Sequence, residues 1–219
     1  MHWKSLLTPL ALFLSTAHAV DKTSDADLDA KIKLSATQLD KFSLLNNASW
    51  LFDFTKQPMY TYNPGSVVNG NAATFPAATG YGLTIAMLNL GPCAMLPPHL
   101  HPRATNFVVA IEGVTDTYML QENGAPLVKQ TLSPFQMTIF PAGSMHTMQN
   151  TGCNNATLVS ALNSDDSGTL NALNFAHFPQ DLVAAAFGNP ADGLNFGSIP
   201  PVGTGSIMGS ATCRAACGL

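Results

Sequence analysis

From Gly82 to Asn163 the chain falls into short runs in which apolar and polar residues alternate, separated by turn formers. The runs are Gly82–Leu90, Asn106–Gly113, Thr115–Leu120, Pro126–Leu132, Gln136–Pro141 and Ala156–Asn163. A period of two puts alternate side chains on opposite faces of a strand, so each run can bury one face. Asn123-Gly124 is a hairpin signal, because its turn needs two residues that tolerate positive φ. Many short strands at regular spacing close into a sandwich or barrel. The expected fold is a single all-β domain with helices only at its periphery.

Helical spacing is confined to the flanks. Leu28, Ile32, Leu39 and Phe42 recur on one face of a predicted helix over Ser24–Leu45, with Ser24 or Asp25 able to cap it. A second helix is predicted over Pro179–Gly188, and Gly188 stops it. The chain thus divides into a helical arm (20–48), a β domain (49–188) and an irregular tail (189–219). Ahead of the arm, Lys4, the apolar run Leu6–Leu14 and the small-x-small triplet Ala17–Ala19 have the form of a signal peptide over residues 1–19.

That apolar run is too short to span a bilayer, and no other segment is long enough, so no membrane partner is expected. The net charge is −4, and −5 once Lys4 leaves with the leader. Mild acidity with only 10% charged residues disfavours nucleic acid as a partner, while 46% hydrophobic residues supply a sizeable core. The expected location is extracellular or in a cell wall. There the four cysteines, Cys93, Cys153, Cys213 and Cys217, would form two disulfides. The short Cys213–Cys217 loop favours a local bridge, which leaves Cys93–Cys153 as the second. Asn47 and Asn155 each open an N-glycosylation sequon.

Three of the four histidines outside the leader fall in two short stretches: His99 and His101 in PPHLHPRAT, and His146 in FPAGSMHTMQN. Residues i and i+2 share a strand face, and Pro97, Pro98 and Pro102 restrict the backbone around the pair. The turn at Pro141–Gly143 can bring His146 onto a neighbouring strand. Neutral imidazole is a common metal ligand, so this trio is the expected site of one divalent ion. The fourth, His177, reads as packing or surface, and Glu112 as a strand-end charge. Met95, Met137, Met145 and Met148 read as core filler. Arg103 can form a turn-stabilising salt bridge or guide an anionic substrate, and Asn150 can bond nearby backbone.

The two stretches resemble the paired motifs of the cupin superfamily, and PPHLHPRAT is similar to germins, germin-like proteins and spherulin-type relatives. The second motif is matched by Pro141, Gly143, His146 and Asn150, the first by His99, His101 and Gly113. The resemblance implies a jelly-roll barrel, assembly into homo-oligomers, and a manganese ion held by three His and one Glu. It also implies oxalate oxidase or superoxide dismutase activity.

Three positions depart from the pattern. Cys93 and Phe135 stand where the motifs have Gly, and Asn106 stands where they have the Glu ligand. An amide brings no charge, and hard Mn²⁺ favours carboxylate oxygen, so copper, zinc or iron become alternatives to manganese. Three functions follow. The first is a germin-type oxidoreductase acting on superoxide or a small carboxylate such as oxalate. The second is a non-catalytic wall, matrix or storage protein with a degenerate site. The third is a cupin recruited as an isomerase, cyclase or dioxygenase in a small-molecule pathway. A narrow pocket would favour the first, and a roomy apolar one the third.

Overall fold

The strands form two antiparallel sheets that face each other across one apolar core. They are seen in a computed structural model that describes residues 21–189 and 205–219. The expected leader lies outside the described residues, as does the stretch 190–204.

The first sheet contains β1 (Gly65–Gly70), β2 (Thr84–Leu90), β4 (Asn106–Glu112), β7 (Met137–Phe140) and β9 (Ala156–Leu162), in the order β1-β2-β9-β4-β7. The second contains β3 (Ala94–Leu100), β5 (Thr115–Leu120), β6 (Val128–Leu132), β8 (Met145–Asn150) and the two-residue β10 (Leu170–Asn171), in the order β10-β3-β8-β5-β6. A further pair, β11 (Ile207–Met208), joins β3. Inward residues alternate along the strands as period two requires. Leu88, Leu90, Val108, Phe140, Leu158 and Leu162 from the first sheet meet Leu96, Leu132 and Met148 from the second. Each predicted run contains a strand: Thr115–Leu120 coincides with β5, and the others are trimmed by one or two residues at their ends. Pro126 lacks an N–H, and pairing of β6 with β5 starts only at Val128.

The arm is two helices, not one. Asp25 caps α1 (Ala26–Leu34) by accepting from the Leu28 N–H, and Thr37 caps a second start, α2 (Gln38–Ser43). Between them Ser35 is extended, and its hydroxyl bonds back to the Lys31 carbonyl. Serine and threonine offer the backbone these local bonds in place of helix continuation. The phase of the apolar face is lost at the break. Ile32 packs with Leu45 and Ala77 in a small cluster outside the barrel core, while Leu39 is exposed. The other predicted helix is α3 (Gln180–Ala186).

The described part of the tail is ordered. Ser210 accepts from the Cys213 N–H to open α4 (Ala211–Cys217), and left-handed Gly218 closes it. This helix overturns the expected disulfides, which are Cys93–Cys213 and Cys153–Cys217. Cysteines at i and i+4 of a helix lie one turn apart with their side chains side by side. They cannot reach the Cβ separation of about 3.8 Å that a disulfide needs. Each instead meets a separate partner on the barrel, where Cys93 precedes β3 and Cys153 follows β8, its paired neighbour.

The two glycine departures keep the glycine conformation. Cys93 has φ 55° and Phe135 φ 66°, both left-handed. The turns of the motifs are retained although the residue suited to them is not.

Candidate metal centre

Pro97 and Pro98 lie within β3 and cannot donate to a ladder. The register between β3 and β8 shifts between Leu96 and His99, and beyond the shift His99 stands directly opposite His146. His101 follows just past the strand end. The turn at Pro141 is tied to it, because the Gly143 N–H donates to the His101 carbonyl at 3.0 Å. Gly143 has φ 78°, so the turn needs a glycine there. The three rings converge: centroids are 4.3 Å apart for His99–His146, 5.2 Å for His99–His101 and 5.3 Å for His101–His146.

Every ring is oriented by a bond from Nδ1 to a backbone carbonyl. The partners are Pro97 for His99 at 2.8 Å, Gly168 for His101 at 2.7 Å and Ser144 for His146 at 2.9 Å. A carbonyl only accepts, so each Nδ1 carries the proton and each neutral ring keeps its lone pair on Nε2. One ligand nitrogen from each ring lies within 4.8 Å of the others. His146 Nε2 is buried and has no hydrogen-bond partner.

Burial first, then the nearby His146 and His101, holds His99 well below the usual histidine range. Burial lowers His101 against the bond to Gly168, and lowers His146 to about 4. Three neutral imidazoles with inward lone pairs are what a divalent cation needs.

Asn106, at the start of β4, is 3% exposed, and its Oδ1 is buried without a partner. With His99 and His101 it lines a cavity of about 60 Å³. That is far below the roughly 300–1,000 Å³ of sites that hold drug-sized ligands. The three histidines form a donor set that fits one ion, and Asn106 brings a single carbonyl oxygen to the same cavity as His99 and His101 where the motif has a carboxylate.

The other predicted residues fall outside this set. Arg103 is a turn residue: its guanidinium bonds the Asp166 carboxylate at 2.7 Å and the Asp166 carbonyl at 2.8 Å. It thereby holds the loop whose Gly168 carbonyl orients His101. Sequence reasoning missed Asp166 and Gly168, because a backbone carbonyl 67 positions away leaves no spacing signal. Asn150 supports backbone, its Nδ2 reaching the carbonyls of Leu90, Gly91 and Asn154. Glu112 is an exposed strand end and His177 is exposed. Of the four methionines only Met148 is core. Met137 and Met145 point to solvent because they fall on the outward parity of β7 and β8. Asn47 and Asn155 are exposed.

A histidine trio held between two antiparallel sheets, with a fourth polar donor beside it, defines a cupin. The chain belongs to that family, whose model, described as Cupin, matches residues 53–190. It is 31% identical over 192 residues to Germin-like protein subfamily 2 member 1 of Arabidopsis thaliana, covering 83% of this chain and 87% of that one. To Spherulin-1A of Physarum polycephalum it is 30% identical over 182 residues, covering 80% and 70%. A solved structure of oxalate oxidase superposes with a TM-score of 0.62 at 22% identity, over 68% of this chain and 79% of that one, a likeness of fold. Among the described residues no helix is long and apolar enough to cross a membrane.

Proposed function

We propose that the chain is a secreted germin-like cupin that holds one divalent metal ion through His99, His101 and His146, with Asn106 as a neutral fourth donor. Its activity on this reading is oxidoreductase chemistry on superoxide or a small carboxylate such as oxalate. The carrying observation is the convergence of three imidazoles whose ligand nitrogens lie within 4.8 Å of one another, with His146 Nε2 and Asn106 Oδ1 among the described residues' buried, unpartnered polar atoms. Such atoms cost stability unless something meets them, and a cation meets both. Secretion is supported by the leader pattern and by two disulfides.

When bound, the ion supplies a Lewis acid and, if redox-active, a one-electron centre. The protein's part is to keep three imidazoles neutral and aimed, to exclude bulk water and to limit substrate size. The small cavity favours a diatomic or a short carboxylate over the larger substrates of a pathway isomerase or cyclase. The neutral Asn106 favours Cu²⁺ or Zn²⁺ relative to Mn²⁺, and it supports a second reading as a non-catalytic wall or matrix protein.

Elemental analysis of the purified native protein tests the metal, with His101→Ala as control. One equivalent in the wild type, lost in the variant, is expected. Superoxide and oxalate assays on the metal-replete protein then separate the two readings. Absence of metal from the freshly purified wild type would overturn the metal-dependent oxidoreductase and favour the non-catalytic reading.

A further inference from the structure

The four cysteines form one cluster rather than two separate bridges. Besides its bonded partner Cys213, Cys93 Sγ lies 3.7 Å from Cys217 Sγ, which belongs to the other bridge. The sulfurs of Cys93, Cys213 and Cys217 are all within 4.8 Å of one another. The cause is α4. Cys213 and Cys217 are one helical turn apart, so both sulfurs lie on the same side of the helix and Cys93 meets both. The two bridges differ in access. Cys93 is 0% and Cys213 9% exposed, whereas Cys153 is exposed and Cys217 half-buried.

A thiolate breaks a disulfide by attacking a sulfur it can reach, and Cys153 is the cysteine most open to solvent. We propose that the two bridges form one thiol–disulfide exchange site, in which a dithiol enters at Cys153 and the freed Cys217 takes over Cys93 from Cys213. One thiolate of the dithiol bonds Cys153 Sγ, the Cys153–Cys217 bond breaks, and Cys217 leaves as a thiolate. The second thiol of the dithiol then closes on the first. Cys153 leaves and takes a proton, and the dithiol departs as its disulfide, oxidised by two electrons. Cys217 attacks Cys93 Sγ, a Cys93–Cys217 bond forms, the Cys93–Cys213 bond breaks, and Cys213 leaves and is protonated. One bridge remains, and Cys153 and Cys213 are thiols.

The helix fixes the target and the order of these steps. Cys217 cannot close on Cys213, because residues at i and i+4 stand too far apart for a disulfide. In-line attack on Cys93 would place Cys217 Sγ about 5.7 Å from Cys213 Sγ, the 3.7 Å contact plus an S–S bond of about 2.0 Å. The two sulfurs lie closer than that, within 4.8 Å, so Cys217 stands beside the Cys93–Cys213 bond while its own bridge holds it. Cleavage at Cys153 frees the side chain to turn into line. The leaving sulfur also has partners waiting. Cys213 Sγ is 3.7 Å from the carbonyls of both Asn150 and Thr151, to which a Cys213 thiol can donate. Throughout the exchange α4 stays tethered at Cys93.

Native protein is treated with one equivalent of dithiothreitol, quenched in acid, alkylated and mapped without further reduction. The expected product carries a Cys93–Cys217 link, with Cys153 and Cys213 alkylated. Cys153→Ser leaves Cys217 unpaired beside the Cys93–Cys213 bridge. It should show the Cys93–Cys217 link with no reductant added, while its circular dichroism stays that of the folded wild type. Cys93–Cys213 intact with Cys153 and Cys217 alkylated would overturn the exchange site. So would loss of both bridges without a Cys93–Cys217 species, or survival of the Cys153–Cys217 bridge under excess dithiothreitol. A folded Cys153→Ser protein linked only through Cys93–Cys213 would overturn it as well.

Discussion

The ring of Phe140 lies flat against the imidazole of His146, with centroids 4.1 Å apart and planes within 9°. Phe140 is also the register partner of Asn106 across β4 and β7, so one buried aromatic stacks on a histidine of the trio and stands in register with the proposed fourth donor. Phe140→Ala is expected to cost about 3–5 kcal/mol of stability, the usual range for an aromatic removed from a core. Phe140→Leu fills more of the space but cannot stack on His146. It should fold and bind metal more weakly than wild type. Urea denaturation and metal titration of the two variants check these outcomes.

Asn106→Glu should raise manganese affinity at least tenfold. At about 4 Å and an effective dielectric near 20, one added negative charge is worth roughly 4 kcal/mol toward each positive charge of the ion, and desolvation takes back part of it. A surviving 1.4 kcal/mol is already a factor of about ten. Manganese titration of metal-stripped wild type, Asn106→Glu and Asn106→Ala makes the comparison. Equal affinity in all three would exclude Asn106 from the site.

The metal-free protein should lose stability as pH falls from about 6.5 toward about 4. His146 titrates near 4 when folded but at the ordinary histidine value of about 6.5 when unfolded, so the unfolded chain binds more protons across that window. The stabilisation is fully present above 6.5 and is lost as pH drops through the window, by about 3 kcal/mol for His146, with His99 and His101 shifted in the same direction. Thermal melts of chelator-treated protein at stepped pH measure it. A flat profile would show that the rings are not buried in neutral form.

Phe135 is 84% exposed and left-handed, so its side chain gains little from packing while its backbone is strained. Phe135→Gly should stabilise the protein by about 1 kcal/mol, since the left-handed conformation costs a non-glycine residue roughly 1–2 kcal/mol. A raised urea midpoint with an unchanged slope is the expected result.

Non-reducing peptide mapping should link Cys93 to Cys213 and Cys153 to Cys217. Removing the second bridge as Cys153→Ser/Cys217→Ser is expected to cost about 2–5 kcal/mol, because it frees a loop of 64 residues. A Cys213–Cys217 linkage in the native protein would contradict the helical geometry of α4.

Six of the strands, the histidine trio and the retained turns at Gly143 and Gly113 were legible in the sequence because each is a local constraint, whereas β1 (Gly65–Gly70) carries no such alternation and was not expected. Alternation fixes which face a side chain takes. The i, i+2 spacing puts His99 and His101 together, and a left-handed turn selects glycine. The same local reasoning gave two methionines the wrong side and joined two arm helices, since parity and phase depend on where an element starts. The disulfide partners and the Gly168 carbonyl that aims His101 were decided by tertiary structure alone. Each depends on groups far apart in the chain that only the packing of two sheets and a terminal helix brings within bonding distance. No periodicity records which distant groups will meet.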